Sequence, residues 1–338
     1  MKAVLIADRE HVNYHASEFF TVYSDEVLDR LHTMVDLDPS PVYWQQRDEK
    51  IELMRNAELI FSNWGMPVLD ADTVAAYFPS VRAVFYAGGD VRHFAIPYFH
   101  RGVRIFCTGE ANAVPASEYA LSQILQANKL VQYAVRTYRD PESYYALRER
   151  IDSRSCNFRA MVGILGAGRV GGRLARRLSS FDLEVCVCDP FLQPEQIRAM
   201  HARCMDWDEL FATCDVISCH LPDHDALYHA IDEAAFSLMQ DEAVFINAGQ
   251  ANQVDQDALI RHFAAHPRQT AILDSTSPMP LPEGHPLFTM NNVFLTPHIA
   301  GSFGGELERM GEEVITALED YLNGRPSEHE VFRGRLPE

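Results

Sequence analysis

Short runs of apolar, often β-branched residues recur along the chain, and stretches with helical spacing separate them. Strands that alternate with helices predict an α/β protein built on parallel sheets. Ten strands are too many for one compact unit, so the pattern predicts two. The ten predicted strands are Lys2–Ala7, Leu59–Ser62, Ala83–Tyr86, Arg104–Cys107, Met161–Leu165, Glu184–Cys188, Val216–Cys219, Ala243–Asn247, Ala271–Asp274 and Val293–Leu295.

Two longer stretches have the spacing of amphipathic helices. The first runs from about Ala116 to Tyr138 and leads into a polar segment, 139–143. The second places apolar residues three and four apart between Glu306 and Leu322, and Gly324 follows as a stop signal. The first four predicted strands therefore precede one long helix, and another helix closes the chain.

Charge and composition narrow the class of protein. The 338 residues include 29 Lys and Arg against 48 Asp and Glu, which gives a net charge of −19. Such a surface argues against nucleic-acid binding, since neutralising phosphates needs basic residues. Hydrophobic residues make up 47% and charged residues 23% of the chain, as in ordinary globular proteins.

Neither a membrane nor a metal is predicted as a partner. No apolar stretch approaches the roughly 18 residues that span a bilayer, and the first residues are too few for a secretory signal, so we expect a cytoplasmic protein. The seven cysteines are an odd, scattered set that is typical of reduced thiols. His262 and His266 have helical spacing but no further ligands nearby, which favours a solvated helix face over a metal site.

A glycine pattern after the fifth predicted strand carries the strongest functional signal. Gly166, Gly168 and Gly171 form a GxGxxG sequence that follows a strand and opens a helical pattern. The first glycine permits a tight turn, the second lets the backbone approach a pyrophosphate, and the third lets helix and strand pack closely. We therefore predict that this loop, with Arg169 and Val170, binds a dinucleotide. The alternative is a plain strand-to-helix turn in a flavodoxin-like unit.

The residue after the next strand bears on which dinucleotide is bound. Asp189 lies eighteen residues after Gly171, where a carboxylate accepts hydrogen bonds from the adenosine ribose and repels a 2′-phosphate. This position favours NAD over NADP. The alternative is a surface turn residue before Pro190.

Several segments together resemble the D-isomer-specific 2-hydroxyacid dehydrogenases, a family that includes phosphoglycerate, glyoxylate and formate dehydrogenases. The resemblance covers nearly the whole chain, and the histidine motif at 295–301 matches almost letter for letter. The segments that carry it are 112–118, 215–222, 245–248 with 254–259, 273–274 with 280–282, and 295–301.

The resemblance implies a two-domain layout. A Rossmann-type doubly wound parallel sheet, residues 114–298, would bind NAD and be inserted into a flavodoxin-like α/β substrate domain, residues 1–113 plus 299–338. The site for a small-molecule substrate would lie at the junction, where such sites tend to form. Family members are commonly dimers through the nucleotide domain, so we expect a homodimer.

The resemblance also assigns the chemistry, and here the chain departs from its family. His298 matches the acid/base that exchanges a proton with the substrate hydroxyl; the alternative is a histidine that caps a turn after Pro297. Gln250 stands at the position of the arginine that binds the substrate carboxylate, and Met279 at that of the glutamate that supports the histidine. Glutamine cannot form a bidentate ion pair, and methionine cannot stabilise an imidazolium. A short loop shift could bring Arg92 or Glu283 into their place.

Two functions follow from these substitutions. In the first, the protein is an NAD-dependent oxidoreductase whose substrate is a 2-hydroxy acid or, given the missing arginine, a less charged sugar- or polyol-like compound. In the second, it binds NAD or NADH as a sensor and has lost turnover. Retention of His298 and Asp274 favours the enzyme.

Further site residues follow from the resemblance. Asp274 would contact the nicotinamide amide, and His220 would lie near the adenine or pyrophosphate, with a buried structural histidine as the alternative. The other cofactor residues implied are Pro222, Ala248, Gly249 and Gly301.

A glycine-containing loop of the substrate domain would line the substrate site. Asp90 in this loop suits recognition of hydroxyls, and Arg92 is either a displaced anion anchor or a solvated arginine. For Trp64, ordinary core packing is the alternative. The residues predicted to bind substrate are Asn63, Trp64, Tyr86, Gly88, Gly89, Asp90 and Arg92.

Overall fold

The computed structural model describes residues 1–11, 15–154 and 156–335. Its strands are β1 (Lys2–Ala7), β2 (Asp36–Leu37), β3 (Val42–Tyr43), β4 (Leu59–Ser62), β5 (Ala83–Tyr86), β6 (Arg104–Cys107), β7 (Met161–Leu165), β8 (Glu184–Cys188), β9 (Arg203–Cys204), β10 (Val216–Cys219), β11 (Val244–Asn247), β12 (Thr270–Leu273), β13 (Val293–Leu295) and β14 (Glu330–Val331). Its helices are α1 (Ala16–Val22), α2 (Asp25–Met34), α3 (Ile51–Asn56), α4 (Ala71–Tyr77), α5 (Arg92–Phe99), α6 (Gly109–Ala127), α7 (Val131–Thr137), α8 (Pro141–Asp152), α9 (Arg169–Leu178), α10 (Pro194–Arg198), α11 (Trp207–Thr213), α12 (Glu233–Ser237), α13 (Gln256–Ala265) and α14 (Glu306–Leu322).

The chain divides into two compact units, each built on one sheet. Unit 1 comprises Met1–Ala113 and Ser302–Glu338, and unit 2 comprises Val114–Gly301. The last three residues, 336–338, lie outside the described residues. The sheet of unit 1 has the order β14-β6-β5-β4-β1-β2, with β3 also paired to β1, and only the β14 pairing is antiparallel. The sheet of unit 2 has the order β13-β12-β11-β10-β7-β8-β9 and is parallel throughout.

Apolar layers cover both faces of each sheet, which explains why the central strands are continuous hydrophobic runs. In unit 1, α14 packs on one face beside α1 and α2. A Cβ on Gly311 of α14 would lie 2.3 Å from the carbonyl oxygen of Val22, so this close packing requires glycine. The α/β prediction is confirmed.

All ten predicted strands are present, and eight have the predicted ends. The other two differ by one residue: β11 starts at Val244 instead of Ala243, and β12 spans Thr270–Leu273 instead of Ala271–Asp274. Four strands of two residues each, β2, β3, β9 and β14, escaped prediction. A strand of only two residues is too short to show a hydrophobic periodicity in the sequence.

The single helix predicted from Ala116 to Tyr138 is wrong. Helix α6 begins at Gly109 and ends at Ala127, and α7 begins only at Val131. Between them the buried amide of Asn128 donates to Asn157 Oδ1 at 2.9 Å, and Leu130 takes a left-handed φ of 52°. A buried polar contact thus interrupts an otherwise helical pattern.

The polar segment 139–143 leads into α8, whose N-terminus is capped reciprocally by Asp140 and Ser143. The prediction for His262 needs correction. His262 does not lie on a solvated face: it is buried, and its Nε2 lies 2.6 Å from Oε1 of Gln269. The Gln269 amide nitrogen donates to two backbone carbonyls, so its oxygen is left to accept from His262.

Candidate active site

The carboxyl ends of parallel strands lie at one edge of a sheet. In unit 2, the predicted cofactor-binding and catalytic residues follow these strand ends. Ligands of open α/β sheets bind at this edge. The residues that follow successive strands are Gly166 after β7, Asp189 after β8, His220 after β10, Gln250 after β11, Asp274 after β12 and His298 three residues after β13.

The three glycines of the loop differ in what requires them. Gly166 has a φ of +80°, a left-handed conformation that favours glycine. A Cβ on Gly171 would lie 2.0 Å from the Gly166 carbonyl oxygen, so the contact between α9 and the loop excludes any side chain. Around Gly168, by contrast, a Cβ would meet no atom within 4 Å. The protein's own packing does not require glycine there, and the open backbone fits the close approach of a pyrophosphate.

The start of α9 suits an anion. Gly168 is its N-cap and offers no side-chain acceptor to the first-turn amides, as a serine or aspartate cap would. Arg169 and Val170 are the first two helical residues, exposed and half-buried respectively. A helix N-terminus attracts phosphate through its N–H groups and its dipole.

Asp189 braces the same loop. Its two carboxylate oxygens accept the amides of Ala167 and Phe191, both at 2.9 Å. The second bond closes a turn of the kind expected for a residue before Pro190. A carboxylate can accept about four hydrogen bonds, so capacity remains for ribose hydroxyls.

His220 is held in its neutral form. Burial lowers its pKa to about 4, and its Nε2 lies 2.8 Å from Ser218 Oγ. Nearby, Pro222 is exposed, while Ala248 and Gly249 are half-buried. A Cβ on Gly249 would lie 3.3 Å from the Cys219 carbonyl oxygen, so the turn passes close to the end of β10.

Asp274 anchors the loop that carries His298. Its carboxylate is buried and accepts three hydrogen bonds: from Thr296 Oγ1 at 2.6 Å, Ile299 N at 2.9 Å and Ala300 N at 2.8 Å. The donors lie on both sides of His298, whose side chain is exposed and whose φ is +56°. Gly301 follows, half-buried. A buried carboxylate thus fixes a strained loop at the sheet edge.

Gln250 and Met279 occupy two further turns of this edge. The Gln250 backbone carbonyl accepts from Asn247 Nδ2 at 3.0 Å, while its side chain is exposed and makes no hydrogen bond to another described residue. The Met279 side chain is 48% exposed. Its segment is held by Gln256, whose amide bonds both the N–H and the carbonyl of Ser277.

The predicted substrate residues of unit 1 follow two neighbouring strands. Buried Asn63 closes the turn after β4, since its Oδ1 accepts from Gly65 N at 3.1 Å. Trp64 is half-buried and contacts the hydrophobic layers on both faces of its sheet, which agrees with the core-packing alternative.

In the loop after β5, the Tyr86 ring packs against the backbone of Gly88. Tyr86 is buried, and burial raises the pKa of its hydroxyl well above the usual value. A Cβ on Gly88 would lie 2.3 Å from the Tyr86 ring, so packing alone requires that glycine. Gly89 beside it is half-buried.

Asp90 and Arg92 pair with each other. Arg92 Nε lies 2.9 Å from Asp90 Oδ1, and its Nη2 contacts Oδ2 in the same bidentate arrangement. Burial raises the pKa of the Asp90 carboxyl, but the hydrogen bonds and charge of Arg92 outweigh it and lower the pKa. Arg92 thus has a carboxylate partner two residues away, and its role as a displaced anion anchor or a solvated arginine stays a prediction.

One contact of the site has no counterpart in the sequence motifs. Tyr119 on α6 lies with its hydroxyl 2.6 Å from Thr296 Oγ1, although the two residues are 177 positions apart. Thr296 stands within the histidine motif, but nothing in the sequence joins it to Tyr119.

Over residues 1–11, 15–154 and 156–335, no three His, Cys, Asp or Glu side chains cluster as metal ligands would. Within the same ranges, every helix is too short or too polar to cross a bilayer.

Known proteins share both the sequence pattern and the fold. Residues 121–300 match the family model described as D-isomer specific 2-hydroxyacid dehydrogenase, NAD binding domain. D-3-phosphoglycerate dehydrogenase of Mycobacterium leprae is 28% identical over 262 residues, 76% of this chain and 48% of that protein. Glyoxylate reductase of Thermofilum pendens is 33% identical over 164 residues, 48% of each chain. The chain spans about half the length of the curated phosphoglycerate dehydrogenases it matches.

A solved structure extends the similarity to the whole fold. The holo form of D-mandelate dehydrogenase from Rhodotorula graminis superposes with a TM-score of 0.79 at 22% identity, covering 98% of each chain. At 22% identity, this match shows a similar fold and nothing about activity.

Proposed function

The chain belongs to the D-isomer specific 2-hydroxyacid dehydrogenase family, with NAD as its cofactor, and we propose that it transfers a hydride between NAD and a hydroxyl- or oxo-bearing carbon of a small molecule. The observation that carries the proposal is the anchoring of the His298 loop by buried Asp274, at the sheet edge where Gly168 leaves room for a pyrophosphate. An acid/base and a nucleotide loop at one edge are what this chemistry needs.

Bound NAD supplies the hydride acceptor, and NADH the donor. His298 takes the proton of the substrate hydroxyl in the oxidative direction and returns it to the carbonyl oxygen in the reductive direction. Its side chain is exposed, while its loop is fixed from both sides by Asp274. A base held in this way keeps its position as the proton moves, which favours general acid/base catalysis.

We propose further that the substrate is less charged than a simple 2-hydroxy acid. Gln250 supplies amide hydrogen bonds but no cation, and Met279 adds an apolar surface. A sugar- or polyol-like carbonyl compound suits such groups better than a carboxylate does.

The test is NADH consumption by the purified protein on matched pairs of 2-oxo acids and uncharged ketones. We expect faster reduction of the uncharged member and loss of that activity in His298→Ala, with the dissociation constant for NADH nearly unchanged. Turnover that survives His298→Ala would contradict the assigned acid/base. Faster reduction of glyoxylate or hydroxypyruvate would contradict the substrate class.

A second candidate function is an NAD(H) sensor without turnover. Met279 favours it, because a half-exposed thioether cannot support a protonated histidine. Tight NADH binding together with silence across the whole panel would select this function over the enzyme.

We also propose a homodimer through unit 2. Helices α7 and α8 present an aromatic surface in which Tyr138, Tyr144 and Tyr145 are 56%, 42% and 71% exposed. Exposed aromatic clusters of this kind are typical of interfaces. Sedimentation velocity should give a dimer for the wild type and a shift toward monomer for Tyr145→Ser; a monomeric wild type would exclude the assembly.

A further inference from the structure

A chain of side-chain hydrogen bonds leads from α6 to the loop of His298. The Tyr119 hydroxyl lies 2.6 Å from Thr296 Oγ1, and Thr296 Oγ1 lies 2.6 Å from Asp274 Oδ1. All three residues belong to unit 2, and both contacts are short for hydroxyl bonds.

The directions of these bonds follow from the atoms involved. An ionised carboxylate has no hydrogen to give, so Thr296 must donate its one hydroxyl proton to Asp274. Thr296 Oγ1 can then only accept from Tyr119. Burial raises the pKa of Tyr119 to about 12, so its hydroxyl keeps the proton it donates. The chain therefore runs one way, from Tyr119 through Thr296 to Asp274.

Asp274 connects this hydrogen-bond chain to the backbone next to His298. The carboxylate also accepts the amides of Ile299 and Ala300, at 2.9 and 2.8 Å. His298 has a φ of +56°, which a non-glycine residue adopts only when its surroundings hold it there. The His298 amide donates to the Thr296 carbonyl oxygen at 3.0 Å, and the hydrogen bonds to Asp274 hold the residues on both sides of it.

We propose that Tyr119 is a positioning residue for the reaction: it orients Thr296, which orients Asp274, which fixes the backbone on which His298 exchanges a proton with substrate. This inference rests on the proposed role of His298. The hydrogen bond through which Tyr119 acts is the one to Thr296.

A double-mutant cycle tests the proposal. Tyr119→Phe removes only the first donor and should lower kcat about fivefold, the equivalent of one neutral hydrogen bond. Thr296→Val removes both hydroxyl contacts and should lower kcat about tenfold, whereas Thr296→Ser should retain nearly the wild-type kcat. Because Tyr119 acts only through Thr296, the double variant should equal Thr296→Val. A loss of about fiftyfold, the product of the two, would overturn the inference.

The steady-state parameters separate positioning from general damage. KM for substrate and the NADH dissociation constant should change less than twofold in Tyr119→Phe. The matched control is Tyr77→Phe, which removes a hydroxyl bond of 2.7 Å to Asp48 in unit 1 and should leave kcat unchanged. Equal losses of kcat in Tyr119→Phe and Tyr77→Phe would overturn the proposal.

Amide hydrogen exchange gives a readout that needs no activity. The Ile299 and Ala300 amides, both bonded to Asp274, should exchange several-fold faster in Tyr119→Phe and faster still in Thr296→Val. Unchanged exchange in both variants would overturn the inference. If His298→Ala keeps full turnover, the proposed function fails instead, so the two failures are distinguishable.

Discussion

Substitution of Gly168 and of Gly171 by alanine tests the nucleotide loop, because the two changes should affect different quantities. The change at Gly171 should lower stability, and the change at Gly168 should weaken cofactor binding. At Gly171 the new Cβ would lie 2.0 Å from the Gly166 carbonyl oxygen and 3.1 Å from its carbonyl carbon. Backbone atoms cannot rotate away as a flexible side chain can. Overpacking of this kind costs ~3 kcal/mol or more, so Gly171→Ala should lower the free energy of unfolding by about that amount.

Gly168→Ala should leave the fold intact and weaken cofactor binding. Its Cβ would meet no protein atom within 4 Å, and the φ of −68° is allowed to alanine, so the free energy of unfolding should stay within about 0.5 kcal/mol. A methyl group on the backbone that faces the pyrophosphate should cost ~1.5 to 3 kcal/mol of binding, which weakens NADH about tenfold to a hundredfold.

The assays are urea unfolding followed by circular dichroism and NADH titration followed by fluorescence. Gly305→Ala is the matched control, since Gly305 also precedes a helix and its Cβ would meet nothing within 4 Å. It should change neither quantity. If Gly168→Ala binds NADH as tightly as this control, the pyrophosphate does not approach Gly168, and the assignment of the loop is refuted.

Three further outcomes are expected. Asp189→Ala should reduce the preference for NAD over NADP about tenfold, as measured by the ratio of dissociation constants, and an unchanged ratio would remove Asp189 from the ribose site. Gln250→Arg should raise kcat/KM for 2-oxo acids over matched uncharged ketones about tenfold to a hundredfold, since an arginine adds a charge-assisted carboxylate contact; Asn252→Arg, an exposed position two residues on, is the control, and equal effects of the two would contradict a specific role for Gln250. His220 titrates at about pH 4 in the folded chain and near 6.5 when unfolded, so the unfolded chain binds the proton first as pH falls. The stability that His220 contributes is therefore full above pH 6.5 and is lost between pH 6.5 and about 4, by up to ~3 kcal/mol. His220→Asn should reduce the change in unfolding free energy over this pH range. An unaltered pH profile of the unfolding free energy would contradict the burial that lowers the pKa of His220.

The Asp90 and Arg92 pair shows how far a single sequence reaches. The sequence shows that they are two residues apart, and it predicts a separate role toward the substrate for each. Only the folded loop shows that the two charges meet each other in a bidentate contact. The helix predicted from Ala116 to Tyr138 fails for a similar reason, because a distant asparagine, Asn157, binds the amide of Asn128 and ends the helix.

Sequence patterns are enough to predict the parallel α/β architecture, the strand ends that carry the site, the glycine loop and the histidine motif. These features depend on neighbours in the chain, through side-chain alternation, glycine conformation and helix capping. The tertiary structure alone decided which polar atoms become partners: Asp274 with the amides on one side of His298, and Tyr119 with Thr296 across 177 positions. Hydrogen bonds between distant residues depend on distances of a few tenths of an ångström, and such distances are set only when the layers pack.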